Sequence, residues 1–539
     1  MLLFAGATAA LPARGTLPSA ATGSYMTTRL QMPPDLMREL AHKVTEILIE
    51  RSEQLPASAV WDGEFQQGAS SPLAEEPPED GESPVAAIEQ AVRDVLSPAL
   101  RLDHPRSFGF VPSAPTWPGV LADYLATGFN INVATWLTAG GSSQLEAVVL
   151  GWFRKWIGYP ETAGGVLTSG GSAAALNAFV AARESGGNPE RATVYMSDQS
   201  HSAQVRAARI IGIRPEHLRI LPTGADFRID PDMLAAAVAA DRAAGCNPIA
   251  VCADAGSTST GAMDPMPAIA DYCETEGIWL HVDAAYGGAL AILPAAAGLL
   301  EGIARADSIG IDPHKWLFQP YEVGCLLVKD ARTLARAFGI HHDILQDSVW
   351  GARHPNGADH GLQLSRQDRA LKIWLSIRIF GMAAFRAAVT QGIDLAKRAA
   401  NWVASSPTLE LLTPASAGIV CFRVNPAVAE LDEAELHRIN KNVLARVFWD
   451  GSAFISSTSL HDTFALRMCV INHTTTWDDV RETLENITRF GMEAAASAGR
   501  IERMTPDGTR RRDRRGEIGS SDDCPRQGGH LARVEEVEK

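Results

Sequence analysis

Three side chains that could take part in catalysis follow short apolar runs of the chain. Lys315 in IDPHKWL comes after SIGID, and a lysine in a partly apolar setting loses its charge readily and can form a Schiff base. Asp283 ends IWLHVD, where a carboxylate can keep a pyridine nitrogen protonated. His201 in MSDQSHS lies just beyond another apolar run, and its flat ring could cover one face of an aromatic cofactor.

A glycine turn adds a possible anion site. Gly170, Gly171 and Ser172 follow the apolar run GGVLTS and precede AAALNAFVAAR, the pattern of a strand, a turn and a helix start. Backbone N–H groups at a helix N-terminus, reached closely across glycines, can bind a phosphate. Alone, each of these features has an ordinary explanation: a capped turn, a helix-capping aspartate, a surface lysine or a structural histidine. Together and in this order they favour one shared site.

The elements that must position these residues indicate an α/β fold. Short, continuous apolar runs alternate with helical segments, which is typical of a parallel sheet buried on both faces, with ligand sites at the carboxyl ends of its strands. The later part, with helix-like residues 431–449 and the strand-like runs IVCFRV and FALRMCVI, predicts a smaller α+β C-terminal domain. The predicted divisions are a disordered tail (1–30), an N-terminal segment (31–110), a large domain (111–395), a small domain (396–500) and a second disordered tail (501–539).

Composition narrows the classes of partner. The chain has 48 Lys plus Arg against 63 Asp plus Glu, a formal charge of −15, which disfavours nucleic acid. No apolar run reaches membrane-spanning length. The apolar N-terminal stretch lacks the basic region of a signal peptide, which favours translation starting at Met26.

Seven scattered cysteines without a CxxC pair predict reduced thiols in a cytoplasm. His341, His342 and Asp343 lack a second ligand cluster, so no metal is expected.

Eight segments, in order, resemble the group II amino-acid decarboxylases that use pyridoxal 5′-phosphate (PLP), which include the aromatic L-amino-acid, histidine and tyrosine decarboxylases. The resemblance covers about residues 33–490, and its segments are FVPSAPTWPGVLADYL, LTSGGSAAALNA, MSDQSHS, ADAGSTSTGAMDP, WLHVDAAYGG, DPHKWL, LSRQDRALKIWLSIRIFG and FALRMCVINHTTT. It implies a PLP-dependent transferase fold of type I, a small-molecule amino-acid substrate, and a homodimer with active sites at the subunit interface.

The resemblance also implies a role for each matching residue. Lys315 would carry the cofactor as an aldimine with His314 beside it, Asp283 would pair with the pyridine nitrogen, and His201 and Ala285 would cover the two faces of the ring. Thr258 would lie near the ring, and the phosphate side would hold Ser113, Gly171, Ser172 and Asp312. Asp312 stands where the animal enzymes have asparagine, and an acid beside a phosphate is unfavourable unless it faces away. This puts its role as a ligand in doubt.

One departure from the family leaves the product open. Similar enzymes carry a tyrosine in a mobile loop, and the aligned segment here is HHDILQD, with Ile344 at that position. Isoleucine cannot donate a proton, so another acid, such as His201, His341, His342 or a water, must protonate the substrate carbon.

The favoured function is decarboxylation of an L-amino acid, expected to be aromatic, to the amine. Ser365 resembles the residue of family members that take phenolic substrates. The alternatives are an aldehyde-forming decarboxylase-oxidase, a non-catalytic PLP-fold protein and an aminotransferase.

Overall fold

The structure is a computed structural model that describes residues 30–61, 73–74, 76–111, 113–339, 354–426 and 431–502. Apart from residues 30, 501 and 502, the two predicted tails lie outside the described residues. The loop segment with His341, His342, Asp343 and Ile344 lies outside them as well.

Twelve α-helices are described. They are α1 (Pro34–Gln54), α2 (Pro84–Gln90), α3 (Trp117–Gly128), α4 (Trp136–Ile157), α5 (Gly171–Ser185), α6 (Ser202–Ile210), α7 (Pro231–Ala243), α8 (Met266–Glu276), α9 (Arg332–Phe338), α10 (Ala370–Ser405), α11 (Glu433–Asp450) and α12 (Trp477–Glu502).

The larger sheet has seven strands in the order β1-β7-β6-β5-β4-β2-β3. These are β1 (Gly164–Thr168), β2 (Ala192–Ser197), β3 (Leu218–Leu221), β4 (Asn247–Asp254), β5 (Trp279–Asp283), β6 (Ser308–Ile311) and β7 (Gly324–Val328). Every residue of β2, β6 and β7 is buried, which explains why their sequences are largely apolar. The predicted α/β fold with a mainly parallel sheet is therefore confirmed.

The direction of β7 is the exception in this mainly parallel sheet. It pairs antiparallel with both β1 and β6. Parallel neighbours need a long crossover, usually a helix, whereas β6 and β7 are joined by residues 312–323, which contain no helix. This connection turns back at the carboxyl edge of the sheet, so Lys315 lies where the predicted ligand site is.

The smaller sheet is fully antiparallel, in the order β10-β11-β9-β8. Its strands are β8 (Leu409–Leu411), β9 (Ile419–Val424), β10 (Ser456–Leu460) and β11 (Thr463–Cys469). Helices α11 and α12 pack on it around a separate apolar core that includes Val443, Leu484 and Phe490. The predicted domain boundary at 395/396 falls inside α10, which packs against α3, α4, β8 and β9 and so joins the two parts.

Helix α10 is also long and apolar enough to span a membrane by length and composition alone. Core helices of folded domains pass the same test. Lys372 in this helix is buried and forms an ion pair with Asp123 of α3, with 2.8 Å between Lys372 Nζ and Asp123 Oδ2. That contact ties α10 to α3 within the protein.

Candidate active site

A cavity of about 330 Å³ opens at the carboxyl edge of the larger sheet. Nine of the ten residues predicted for the site line it: Gly171, Ser172, His201, Thr258, Asp283, Ala285, Asp312, His314 and Lys315. They come from the carboxyl ends of β1, β2, β4, β5 and β6 and from the segments that follow these strands, so the sheet brings together residues far apart in sequence. Ser113 does not line this cavity; it is buried, and its Oγ has no hydrogen-bond partner among the described residues.

The Lys315 amine lies beside a buried carboxylate. Its Nζ is 3.1 Å from Asp312 Oδ2, and His314 Nε2 is 3.6 Å from the same oxygen. Burial alone would lower the pKa of Lys315, but the carboxylates of Asp312 and Asp283 outweigh it and raise the pKa. The lysine is therefore an ammonium ion near neutral pH, and it must lose a proton before it can act as a nucleophile.

Asp283 is the last residue of β5, and both of its carboxylate oxygens accept a hydrogen bond. The backbone N–H of Ala285 donates to Oδ1 at 3.0 Å, and Gln204 Nε2 donates to Oδ2 at 2.6 Å. Two N–H donors hold the carboxylate in one orientation and favour its charged form. Asp283 can therefore offer a fixed negative charge to a positively charged group in the cavity.

His201 is the N-cap residue of α6, where its Nδ1 accepts a hydrogen bond from the backbone N–H of Ala203 at 3.2 Å. Burial is the largest influence on its pKa and lowers it; the Asp283 carboxylate raises the pKa and the Lys315 cation lowers it. The net direction is down, so the imidazole is neutral near neutral pH. A neutral flat ring is suited to packing against an aromatic group.

The glycine turn leaves room that side chains would fill. A Cβ added to Gly171 would lie 3.0 Å from Asp312 Oδ2 and 3.3 Å from Ala285 Cβ, and one added to Gly324 would lie 2.5 Å from Gly170 Cα. Helix α5 begins at Gly171 and runs to Ser185, and the backbone N–H groups of Gly171 and Ser172 at its start have no partner within the helix. These features provide space and donors for an anion.

Two residues of the site were not predicted from the sequence. Gln204 lies one helical turn after His201 on α6, a spacing that places both side chains on the same face. Asp254 ends β4 and lines the cavity, in the same position relative to its strand as Asp283 has in β5. The sequence signal for Asp254 was present, because it ends the apolar run PIAVCAD as Asp283 ends IWLHVD.

Comparisons with known proteins agree with this geometry. The family model described as the pyridoxal-dependent decarboxylase conserved domain matches residues 68–425. The chain is 35% identical to an aromatic-L-amino-acid decarboxylase of Bacillus atrophaeus, over 88% of this chain and 99% of the relative. It is 30% identical to a phenylacetaldehyde synthase of Petunia hybrida, over 83% and 92% of the two chains. A crystal structure of Oryza sativa TDC with PLP and tryptamine superposes with a TM-score of 0.83 at 27% identity, covering 87% of this chain and 100% of that one.

The residues of the cavity fit PLP. An amine for the cofactor aldehyde, a fixed carboxylate for its ring nitrogen and a glycine turn for its phosphate all line the same space. Asp312 is the one poor match, because its Oδ1 is buried without a partner and its charge lies next to the glycine turn. The family model covers more than half of the chain, and the Bacillus relative matches along nearly all of it. The chain therefore belongs to the pyridoxal-dependent decarboxylase family and is a PLP-dependent carboxy-lyase.

Proposed function

We propose that the protein decarboxylates an aromatic L-amino acid and releases the corresponding amine. The observation that carries the proposal is the meeting of Lys315, Asp283 and the Gly171 turn in one cavity at the carboxyl edge of the sheet. The aromatic substrate class is supported by a 35% identical relative that is named for aromatic L-amino acids and matches along 99% of its own length. It is supported also by the structural match to a TDC crystallised with PLP and tryptamine.

In this proposal each residue holds one part of the cofactor. When bound, PLP supplies an aldehyde that reacts with amines and a ring that accepts the electron pair left by departing carbon dioxide. The ring nitrogen would pair with Asp283, the two ring faces would pack on His201 and Ala285, and the aldehyde carbon would meet Lys315. The remaining contacts, at the phosphate or the ring edge, would come from Gly171, Ser172, Thr258 and His314.

The proton on Lys315 determines when its amine can react. Asp312 Oδ2 is 3.1 Å from Nζ and is the nearest carboxylate to it, so it can accept the proton that the ammonium must lose. His314 is 3.6 Å from the same oxygen, and burial, the largest influence on its pKa, lowers that pKa, so His314 is neutral near neutral pH. We assign Asp312 to this proton transfer and not to binding of the phosphate.

Asp312→Asn should bind PLP more tightly, by about tenfold or more, because a buried negative charge beside the phosphate is removed. The change also lowers the pKa of Lys315, which increases the fraction of free amine. The dissociation constant can be measured by quenching of protein fluorescence during titration with PLP. Asp307→Asn, which removes a carboxylate that accepts a hydrogen bond from the backbone N–H of Leu280, serves as the control. Weaker binding by Asp312→Asn would show that Asp312 helps to hold the phosphate.

The substrate can be identified by a screen of L-amino acids with the holoenzyme. Carbon dioxide and amine are quantified for each candidate, with tryptophan, tyrosine, phenylalanine and 3,4-dihydroxyphenylalanine compared against histidine, glutamate and cysteine sulfinate. We expect the highest kcat/KM for one of the aromatic substrates. Preference for an acidic amino acid would refute the proposed substrate class while leaving the decarboxylase assignment intact.

A second candidate function is oxidative decarboxylation to the aldehyde. Two observations support the aldehyde as a product. Ile344 replaces the proton-donating tyrosine of similar enzymes, and a 30% identical relative is named a phenylacetaldehyde synthase. Ile344 lies outside the described residues, so its role rests on the aligned sequence alone. We favour the amine as product because the relative with the higher identity is named as a decarboxylase.

Ile344→Tyr is expected to raise the amine-to-aldehyde ratio by about tenfold or more, because a positioned general acid contributes at least that much to proton transfer. The wild type should then form some aldehyde, ammonia and hydrogen peroxide under air, with slow release of the amine. Amine and peroxide per carbon dioxide released are measured with and without oxygen, with Ile344→Phe as a control for ring size. If the wild type already releases one amine per carbon dioxide without consuming oxygen, and the tyrosine changes nothing, another group protonates the substrate carbon.

We also propose that the protein is a homodimer that works in the cytoplasm. Helix α1 has no buried residue along its length, and α3 exposes Trp117, Leu121, Tyr124 and Leu125 in a helical stripe. A second copy of the chain is the partner that the family resemblance implies for such surfaces.

The proposed cytoplasmic location is supported by the cysteines. The six cysteines in the described ranges are all free and buried, which is compatible with a reducing compartment.

The dimer can be tested with a charge placed in this stripe. Leu121→Asp is expected to shift the protein from dimer to monomer in sedimentation velocity, because burying an unpaired carboxylate in an apolar interface is costly. Leu299→Asp, at a leucine that is also exposed, should leave the sedimentation coefficient unchanged. A wild-type protein that sediments as a monomer at micromolar concentration would rule the homodimer out.

A further inference from the structure

Three carboxyl groups, the buried Asp254 and Asp264 and the half-buried Asp283, lie together at the carboxyl edge of the sheet. Asp254 and Asp283 end the neighbouring parallel strands β4 and β5 and are direct register partners. Partners on adjacent strands lie about 4.8 Å apart with their side chains on the same face. Asp264 accepts a hydrogen bond from the backbone N–H of Asp254 at 2.7 Å. Carboxylates this close in a buried site cannot all be charged.

The hydrogen bonds distinguish the three carboxyl groups. Asp283 accepts N–H bonds on both oxygens, as described above. Asp264 does the same, from the backbone N–H of Ile229 at 2.8 Å and that of Asp254. An N–H group can only donate, so it favours the ionised form of the carboxylate that it contacts. The hydrogen bonds to Asp283 and Asp264 thus favour the ionised form of both carboxyl groups.

Asp254 has a different set of partners. Its Oδ2 is bonded by the hydroxyl of Ser200 at 2.7 Å and that of Ser197 at 3.3 Å. No N–H group in the described ranges bonds to its side chain. A hydroxyl can donate or accept, so it can serve a protonated acid as well as a carboxylate. Burial, together with the charges of Asp264 and Asp283, raises the pKa of Asp254 well above its usual range. Asp254 is the member of the cluster suited to carry a proton.

Gln204 completes the arrangement from the side of α6. The residue is 2% exposed, its Nε2 donates to Asp283 Oδ2 at 2.6 Å, and its Oε1 is buried without a partner in the described structure. The reverse orientation of the amide would place two oxygen atoms against each other, so the carboxylate determines which way Gln204 points.

We propose that Gln204 and Asp254 are positioning residues that keep Asp283 ionised: Gln204 donates a hydrogen bond to its Oδ2, and Asp254 holds the one proton that the three carboxyl groups retain. The proposal rests on the assignment of Asp283 to the pyridine nitrogen made above. Neither residue touches the reacting atoms in this account. Both act through Asp283, whose negative charge stabilises the protonated ring.

The other ionisable groups around the cluster do not change this distribution. On the cavity side, the Lys315 cation and the neutral His201 interact with Asp283. Behind it, burial lowers the pKa of His281 to about 4 and raises that of the Cys252 thiol, so both are neutral near neutral pH. Burial raises the pKa of Asp264 to about 6, with Arg228 opposing and Asp226 adding to the rise, so Asp264 is ionised at mildly alkaline pH.

Infrared difference spectroscopy at mildly alkaline pH locates the proton. A protonated carboxylic acid has a carbonyl stretching band that a carboxylate lacks, and the band shifts in heavy water. We expect the difference between wild-type holoenzyme and Asp254→Asn to show loss of one such band. Asp264→Asn and Asp283→Asn each remove a negative charge that raises the pKa of Asp254, so in these variants the band should titrate at a lower pH than in the wild type. No loss of the band in Asp254→Asn would overturn the proposal.

Gln204→Met tests the second residue, because methionine keeps the shape of glutamine and removes the N–H donor. We expect PLP affinity to fall about tenfold to a hundredfold, the usual value of a hydrogen bond to a charged group. The visible absorbance of the bound cofactor should also titrate at a changed pH. Gln391→Met, which removes a 2.8 Å bond to the backbone oxygen of Thr475, is the matched control and should change neither. Unchanged affinity and titration in Gln204→Met would refute its positioning role.

A further variant covers the case in which Gln204→Met does not fold. Gln204→Glu keeps the side-chain shape and forces the cluster to take up another proton, which should appear as an additional infrared band; its absence would contradict the contact with Asp283. The assignment of Asp283 itself is tested separately. If Asp283→Asn leaves PLP affinity and spectrum unchanged, that assignment fails even if Asp254 holds the proton. If Asp283→Asn has its effect but Asp254→Asn loses no band, only the present proposal fails.

Discussion

Lys315→Ala is expected to abolish carbon dioxide release, with a loss of about 10⁴-fold or more, comparable with removal of the nucleophile from other covalent enzymes. Lys315 is the only lysine that lines the cavity in the part of the chain that the structure describes. No other amine there can form the covalent bond to the cofactor. The variant should also lose the visible absorbance of covalently bound PLP.

The measurement combines carbon dioxide release with borohydride reduction and mass spectrometry of the digested protein. Borohydride makes the bond between amine and cofactor permanent, so the peptide that contains Lys315 should carry the added mass in the wild type only. Lys397→Ala, at an exposed lysine of α10, is the control and should keep both properties. A cofactor adduct that persists on Lys315→Ala would show that another residue is the anchor.

Asp283→Asn is expected to retain PLP but to slow decarboxylation by about 10² to 10³-fold, the usual effect of removing one electrostatic contact from a transition state. The amide keeps the shape of the carboxylate, but it carries no negative charge to stabilise a protonated ring. The rate is measured under single-turnover conditions with saturating cofactor, so that weaker binding cannot account for the loss.

The control for Asp283→Asn addresses the simplest alternative, that this aspartate only caps a turn. Asp230 is an ordinary capping residue of α7, and its side chain accepts a hydrogen bond from the backbone N–H of Asp232 at 2.9 Å. Asp230→Asn should leave the rate unchanged. An Asp283→Asn variant with wild-type rate would mean that the two aspartates have the same structural role.

The cavity could be predicted because its residues lie at the ends of strands that appear in the sequence as short apolar runs. Asp283 and Lys315 each follow a continuous apolar run, and parallel strands bring such ends to one edge. Gln204 could not be found in this way. Its partner Asp283 is 79 residues away in sequence, and a glutamine on a helix gives no local sign of its contact.

The direction of strand β7 and the contact between Asp312 and Lys315 could not be predicted from the sequence pattern either. The run GCLLVK reads as another buried strand, but periodicity carries no information on whether a strand is parallel or antiparallel to its neighbours. Asp312 was expected near the phosphate, with its role as a ligand in doubt. Its contact with Lys315 depends on the turn of the connection after β6, which only the three-dimensional structure shows.

The helix-free connection of residues 312–323 has a consequence for protein engineering. Surface loops usually accept insertions, and loops around an active site are the common targets for changing specificity. This connection begins one residue after Ile311 and ends one residue before Gly324, both of which are locked in register with neighbouring strands. An inserted residue would displace the Lys315 amine from Asp312 or break that register. Libraries that vary loop length in this family member should therefore leave this connection unchanged.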